Sequence, residues 1–166
     1  RPDASSYHTF YMDVETGAPR FGRTNQGYAD DSCWARGQAW GIYGFALSYR
    51  HNGDASLLEL DQKITNYFLN RLPPDFVCYW DLIFTSGTEE RDSSAAAIAA
   101  CGLLELAAHL PLTNPNRRLY ENAALHIVKS LAEYYTTASC PASNGLLQHA
   151  VYSKPGRVGV NECNIW

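Results

Sequence analysis

Read for the spacing of apolar and polar positions, the chain opens with a turn-rich segment and then runs through helices of two alternating kinds. Arg1-Pro2-Asp3, Thr16-Gly17-Ala18-Pro19 and Gly22-Arg23-Thr24-Asn25 are turn chemistry, with a short strand predicted over Thr9 to Met12. A helix is predicted from near Asp31-Ser32, whose side chains are candidate N-caps, to about Tyr49, with Asn52-Gly53 ending it. Cys33, Trp34, Ala35, Ala39, Trp40, Ile42, Tyr43, Phe45, Ala46 and Leu47 make it small or apolar nearly all round, the mark of a buried helix. The next helix, about Ala55 to Asn70, is two-faced. Leu57, Leu60, Ile64, Tyr67 and Phe68 form its stripe, and Glu59, Asp61, Lys63 and Asn66 fill the other side. The alternation then repeats. Asp92-Ser93 caps a second all-round helix, Ala95 to about His109. After Pro111 to Pro115, a second two-faced helix over about Asn116 to Tyr135 lines up Tyr120, Ala124, Ile127, Leu131 and Tyr134.

The two all-round helices align at an offset of 61 residues, from Asp31 to Asp92. At that offset Ser32/Ser93, Ala35/Ala96, Ala39/Ala100, Gly41/Gly102 and Ala46/Ala107 are identical. Small residues at matching places imply backbones packed closely together. Inner helix, outer helix, inner helix, outer helix at a period near sixty predicts an all-α fold of the α/α toroid type. Two such hairpins cannot close a ring, so the stacking partners are expected in sequence outside these 166 residues. Arg1 without a preceding Met and the stop at Trp166 agree with a piece of a larger domain.

Composition narrows the partners. Apolar residues make up 46% and charged residues 18% of the chain, against roughly 25% charged in ordinary soluble domains. The net charge of -4 and the scattered positive residues exclude a nucleic-acid face, which needs a basic stripe. Aromatics at 13% suit sugar stacking, and equally suit core filling. Cys33, Cys78, Cys101, Cys140 and Cys163 are odd in number and widely spaced, so zinc and redox motifs are not expected and buried free thiols are. That usage leans towards a reducing, cytoplasmic compartment. The apolar runs are too short for a membrane span, and no secretory leader is visible. Metal-ligand spacing, P-loop and dinucleotide fingerprints are lacking, so no cofactor is expected.

Candidate chemistry gathers in Asn25 to Trp40. Arg36 and Trp40 are four apart and share a helix face. A guanidinium in a buried helix must be paired. Either Asp30 or Asp31 neutralises Arg36, or Arg36 faces an open end of the toroid and grips a carboxylate bidentately while Trp40 stacks on a sugar ring. His8 is a loop histidine among aromatics. Asp92 has a capping role already, and Asp81 after Tyr79-Trp80 is a loop carboxylate with either a structural or a chemical reading. Glycosidases generally need two carboxylates, and spacing alone selects no pair.

The run Gly27 to Gly44, with Tyr28-Ala29-Asp30-Asp31-Ser32-Cys33-Trp34-Ala35-Arg36-Gly37-Gln38-Ala39-Trp40 at its heart, closely resembles the unsaturated glucuronyl hydrolases of glycoside hydrolase family 88. So do Tyr79-Trp80-Asp81, Arg91 to Ala100, and the tail Asn161 to Trp166. The resemblance covers essentially the whole chain. It implies an (α/α)6 barrel, here its C-terminal part over 1–166, with the N-terminal half and a final closing helix absent. It implies a hydrolase acting on lyase-generated oligosaccharides that end in a 4,5-unsaturated uronic acid. In that reaction an Asp protonates C4 of the enol ether and water adds at C5. The family's catalytic Asp and its partner Asp fall upstream, so the chain alone is expected to be inactive. His8, Gln26, Arg36 and Trp40 match the family's pocket His, Gln, carboxylate-facing Arg and stacking Trp, which tips Arg36 towards substrate binding. The related unsaturated rhamnogalacturonyl hydrolases share toroid and chemistry, but Arg36-Gly37-Gln38-Ala39-Trp40 resembles the glucuronyl type more. A non-catalytic, uronate-binding toroid is the alternative of another class.

Overall fold

The computed structural model describes residues 1–163; the tail motif residues Asn164, Ile165 and Trp166 lie outside the described residues. Four helices carry the fold: α1 Ala35–Asn52, α2 Ala55–Leu69, α3 Ser93–His109 and α4 Pro115–Tyr134. Two antiparallel hairpins flank them, β1 Thr9–Met12 with β2 Pro19–Arg23, and β3 Ala150–Ser153 with β4 Val158–Glu162. β1 has the bounds its sequence predicts. The other three strands have no counterpart in the pattern of apolar positions.

The inner/outer alternation holds. α1 packs against α3, α2 lies against α1, and α4 lies against α3. Small residues set the spacing. A side-chain carbon added at Gly102 of α3 would sit 2.8 Å from the Tyr43 backbone nitrogen and 2.8 Å from Ile42 Cγ2 of α1, so only glycine permits this approach. At the matching position of α1, a carbon on Gly41 would meet Ile64 of α2 at 3.2 Å. The core is built from Ala39, Ile42 and Ala46 of α1, Phe68 of α2, Leu103 and Leu106 of α3, and Tyr120 and Ile127 of α4.

The helix ends account for several departures from the sequence reading. α1 begins at Ala35 rather than at Asp31-Ser32, and its N-cap Trp34 supplies no side-chain hydrogen bond. Ser32 Oγ is engaged elsewhere, donating to Asp81 Oδ2 at 2.7 Å, and Asp31 faces solvent. Gly53 ends α1 in the left-handed region (φ 72°) with its N–H on the Tyr49 carbonyl, the conformation for which glycine is preferred at a helix C-terminus. Asp92 caps α3 as predicted, accepting from the Ser94 and Ala95 N–H groups. Tyr134, expected on the buried stripe of α4, is 70% exposed. The helix stops there, and Tyr135 turns inward to donate its hydroxyl to Asp75 Oδ2 at 2.9 Å.

Two other expectations are corrected. Asp61, assigned to the polar face of α2, is fully buried and holds only Thr65 Oγ1 at 3.3 Å, its Oδ2 having no hydrogen-bond partner among the described residues. Burial pushes its carboxyl up to about 8. Of the five cysteines only Cys33 and Cys78 are buried; Cys101, Cys140 and Cys163 are exposed. Cys101 lies with Ala97, Leu104 and Ala108 on a side of α3 that other helices leave largely uncovered, a small and apolar face not buried within these residues. None of the helices is long and apolar enough to cross a membrane.

Candidate functional site

Both inner helices start at the same end of the molecule. Arg36, the second residue of α1, reaches Asp92, the N-cap of α3. Loop backbone locks the two starts together. Ala35 N–H donates to the Trp80 carbonyl at 3.1 Å, Leu82 N–H to the Cys33 carbonyl at 2.8 Å, and Asp92 N–H to the Cys78 carbonyl at 2.9 Å. The segment 77–92 thus crosses beneath both helix N-termini, whose dipoles bring positive potential to this end.

Arg36 is 0% exposed, and so is Asp92. Its Nη1 donates to Asp92 Oδ2 at 3.2 Å, to Ser94 Oγ at 3.2 Å and to the Val151 carbonyl at 2.5 Å, and Nη2 donates to the Tyr152 carbonyl at 2.8 Å. The guanidinium also lies 4.6 Å from the Trp34 ring centre. The sequence offers Asp30 or Asp31 as its neutralising partner; the partner is Asp92, which the sequence presents as a cap alone. Asp92 does both, with Oδ1 serving the helix amides and Oδ2 the arginine. Burial pulls the Arg36 guanidinium down and pushes the Asp92 carboxyl up, and their mutual attraction opposes both shifts. An open, two-point grip on a ligand carboxylate is therefore not the arrangement Arg36 adopts here. It sits below the surface, its charge held in place by β3 carbonyls and Asp92.

His8, Gln26 and Arg36 are brought together around Trp34 and Tyr152. The His8 ring stacks on Trp34 at 4.3 Å between centres. Its Nδ1 accepts from the Asn25 and Gln26 N–H groups at 3.2 and 3.3 Å. Partial burial and then the nearby Arg36 charge lower the tendency of His8 to protonate. Gln26 Nε2 donates to the Tyr152 carbonyl at 2.6 Å, the same oxygen that receives Arg36. Trp40 stands one helical turn beyond Arg36 and is 42% exposed. The buried Trp34 indole N–H has no acceptor among the described residues.

Sequence patterns do not reveal Trp34 and Tyr152 as the platform of this cluster, and they leave Asp81 undecided. Asp81 is fully buried. Its Oδ2 accepts from Tyr28 N–H at 2.9 Å and Ser32 Oγ, and its Oδ1 from Ile83 N–H at 3.1 Å. Beside it, Tyr28 and Trp80 meet edge to face, each close to Phe84. Lys154 pairs with Glu89 at 2.6 Å and with Glu90, pinning the β3–β4 turn onto segment 77–92. A cleft of about 620 Å³ lies along α3 between Ala97, Ile98 and the Leu146-Leu147 loop. It is a mainly apolar cleft away from His8, and it shares only Ser94 with the cluster around Arg36.

No protein-family model matches the chain. Individual relatives do. The unsaturated chondroitin disaccharide hydrolase of Streptococcus pneumoniae is 53% identical over all of this chain, which spans 42% of that protein. The unsaturated glucuronyl hydrolase of Bacillus sp. strain GL1 is 44% identical over the whole chain, which spans 44% of it. A crystal structure of a variant of the Streptococcus agalactiae unsaturated glucuronyl hydrolase, complexed with dGlcA-GalNAc6S, superposes with a TM-score of 0.89 at 51% identity. It covers 100% of this chain and 44% of the crystallised one. The chain thus spans less than half the length of the relatives it matches. Over its whole length, in sequence and in the portion of helical toroid it folds into, the chain is homologous to part of the unsaturated glucuronyl hydrolases.

Proposed function

We propose that the protein to which this chain contributes is a hydrolase that removes the 4,5-unsaturated uronic acid from the non-reducing end of lyase-generated oligosaccharides. The observation that carries this reading is the cluster of His8, Gln26 and Arg36 around Trp34 at the shared start of α1 and α3, within a chain 53% identical to a chondroitin disaccharide hydrolase. Identities of 53%, 52% and 52% to three proteins of that name, against 31% to a heparin-specific glucuronyl hydrolase structure, favour a chondroitin-type substrate.

In this reading an acid donates a proton to C4 of the enol ether and a water oxygen adds at C5. The C5 hemiketal opens to a ketone, the ring oxygen leaves C5, and the hemiacetal left at C1 collapses to an aldehyde as it releases the next sugar's oxygen. None of the buried carboxylates here suits the role of that acid. Asp81 and Asp92 have both oxygens committed to internal donors, and Asp61 lies deep under α2. The resemblance to the unsaturated glucuronyl hydrolases implies that this acid is an Asp upstream of this chain. The residues of this chain receive the uronate: His8 and Gln26 as polar contacts, Trp40 as a stacking face, and Arg36 as a buried positive charge beneath the carboxylate. A charge held in low dielectric acts more strongly on an anion than the same charge in water.

The test is to incubate the intact protein with an unsaturated chondroitin disaccharide and follow the ultraviolet absorbance of the conjugated double bond. Loss of absorbance, strongly reduced by Arg36→Ala and by Trp40→Ala, is expected. Unchanged absorbance with chondroitin-, gellan- and rhamnogalacturonan-derived products alike would refute the enzyme reading and leave a uronate-binding toroid.

A further inference from the structure

The hydrogen bonds of His8 specify more than its position. A backbone N–H can only donate, and two of them, from Asn25 and Gln26, point at Nδ1. Nδ1 must then carry the lone pair, so the single proton of the neutral ring resides on Nε2. Among the described residues, Nε2 makes no hydrogen bond, although the ring is half-buried and fixed by its stack on Trp34. Protonating Nδ1 would set its new N–H against two donors already there. The tautomer is written into the backbone of one turn.

That turn is itself held from a distance. Thr24 Oγ1 accepts from Gly27 N–H at 2.8 Å and lies 3.3 Å from His8 Nδ1. A carbon added at Gly27 would come within 2.6 Å of Thr24 Oγ1 and 3.0 Å of Asp81 Oδ2, so the turn is packed tightly against both. Asp81, 53 residues further along, grips Tyr28 N–H and Ser32 Oγ and closes the far side. Arg36 is the cation that faces His8, while the carboxylates of Asp81 and Asp92 are occupied with their own donors.

We infer that His8 is a preset hydrogen-bond donor to the uronate through Nε2–H, and that Thr24 and Asp81 are positioning residues that impose this tautomer by fixing the 24–28 turn. The inference rests on the uronate-pocket reading above and assigns His8 no proton-transfer step. A side chain that presents an N–H already aimed, with no competing tautomer to abandon, binds an acceptor without reorganising.

The test uses the intact protein labelled with ¹⁵N-histidine, and His8→Asn assigns the His8 signals by their loss. Two-bond ¹⁵N–¹H correlation is expected to show His8 with a bare Nδ1 and a protonated Nε2 in its neutral form, and less of the cation near pH ~6.5 than a solvated histidine, which is half protonated there. Adding the unsaturated disaccharide is expected to shift the Nε2 signal. Thr24→Val and Asp81→Asn are each expected to bring out a fraction of the Nδ1–H or cationic form. Thr24→Val is the milder change and keeps the test open if Asp81→Asn fails to fold. In turnover, His8→Gln places an amide N–H near the Nε2 position and is expected to stay within about tenfold of the native rate. His8→Asn and His8→Ala are expected to fall by roughly a hundredfold, the scale of losing a charge-assisted hydrogen bond. An Nδ1–H tautomer in the native protein, or a His8 no less cationic near pH ~6.5 than a solvated histidine, overturns the inference. So does a His8→Gln variant as inactive as His8→Ala, or an Nε2 signal indifferent to a disaccharide that is turned over. Absence of turnover in the native protein refutes the proposed function instead, and the tautomer spectrum still judges the positioning role by itself.

Discussion

Replacing Asp92 by asparagine removes a charge while keeping the shape of the side chain, and so separates the ion pair from the helix cap. The asparagine carbonyl can stay where Oδ1 accepts from the Ser94 and Ala95 amides at 3.1 and 3.2 Å. Its amide nitrogen then falls where Oδ2 received Arg36, placing a donor against a donor with both side chains 0% exposed. Breaking a buried pair from one side costs about 3–5 kcal/mol, because the surviving charge is left uncompensated. The carbonyls of Val151 and Tyr152 still solvate Arg36 in part, so the lower end, about 3 kcal/mol, is expected. Asp92→Ala also removes the cap, for about 1 kcal/mol more. Arg36→Met in the Asp92→Asn background should recover at least about 2 kcal/mol of the loss, since an apolar replacement leaves no stranded charge. The assay is urea unfolding of the intact protein, the three variants and Arg36→Met alone at one pH and salt concentration. Strictly additive effects, or an Asp92→Asn cost below about 1 kcal/mol, would show that Arg36 does not depend on Asp92.

Asp61 gives a pH prediction. Its folded value near 8 stands above the ordinary carboxylate value of 3.8, so the folded state prefers the protonated form. The stability this contributes is full below about pH 4 and is lost as the pH rises through about 8. Asp61→Asn should therefore raise the denaturation midpoint at pH 8 and change it little at pH 4; equal effects at both would refute the assignment. Gly102→Ala should cost about 1–3 kcal/mol by forcing α1 and α3 apart, read as a fall in Tm, and an unchanged Tm would mean the helices yield freely. Trp40→Ala should leave stability nearly unaltered, since the residue is 42% exposed, while raising KM for the disaccharide by roughly three- to tenfold through lost stacking. A fall in kcat with KM unchanged would argue against a stacking role.

How far the sequence carries the fold depends on the range of the interaction in question. Helix periodicity and the Asp92 cap are local, and they place α2, α3 and α4 to within two residues at each end. The small-residue register between α1 and α3 is legible because glycine and alanine recurring at 61-residue spacing mark places where two backbones must come close, and Gly102 against Tyr43 supplies the contact. The start of α1 is misplaced because Ser32, a good local cap, is drawn to Asp81 across 49 residues. Arg36 shows the same limit. Nearby Asp30 and Asp31 are the visible partners, while the real ones lie 56 to 116 residues away. Asp61 stands four after Leu57, three before Ile64 and seven before Phe68, so its position belongs to the buried stripe; only its charged side chain assigns it to the polar face. The candidate site is identified by resemblance of its residues; its platform, Trp34 and Tyr152, is a product of tertiary structure alone.

The docking of β3 sets an order of events during synthesis. Gln26 and Arg36 find their acceptors on residues 151 and 152, more than a hundred positions later. Closing loops of that length costs entropy that only the finished contacts repay. A ribosome-bound chain can wind α1 through α4 and pair Arg36 with Asp92 while the carbonyls of residues 151 and 152 that complete its surroundings are still to come. The hairpin is the closing stitch: until it emerges and lies down, the helices exist and the pocket does not.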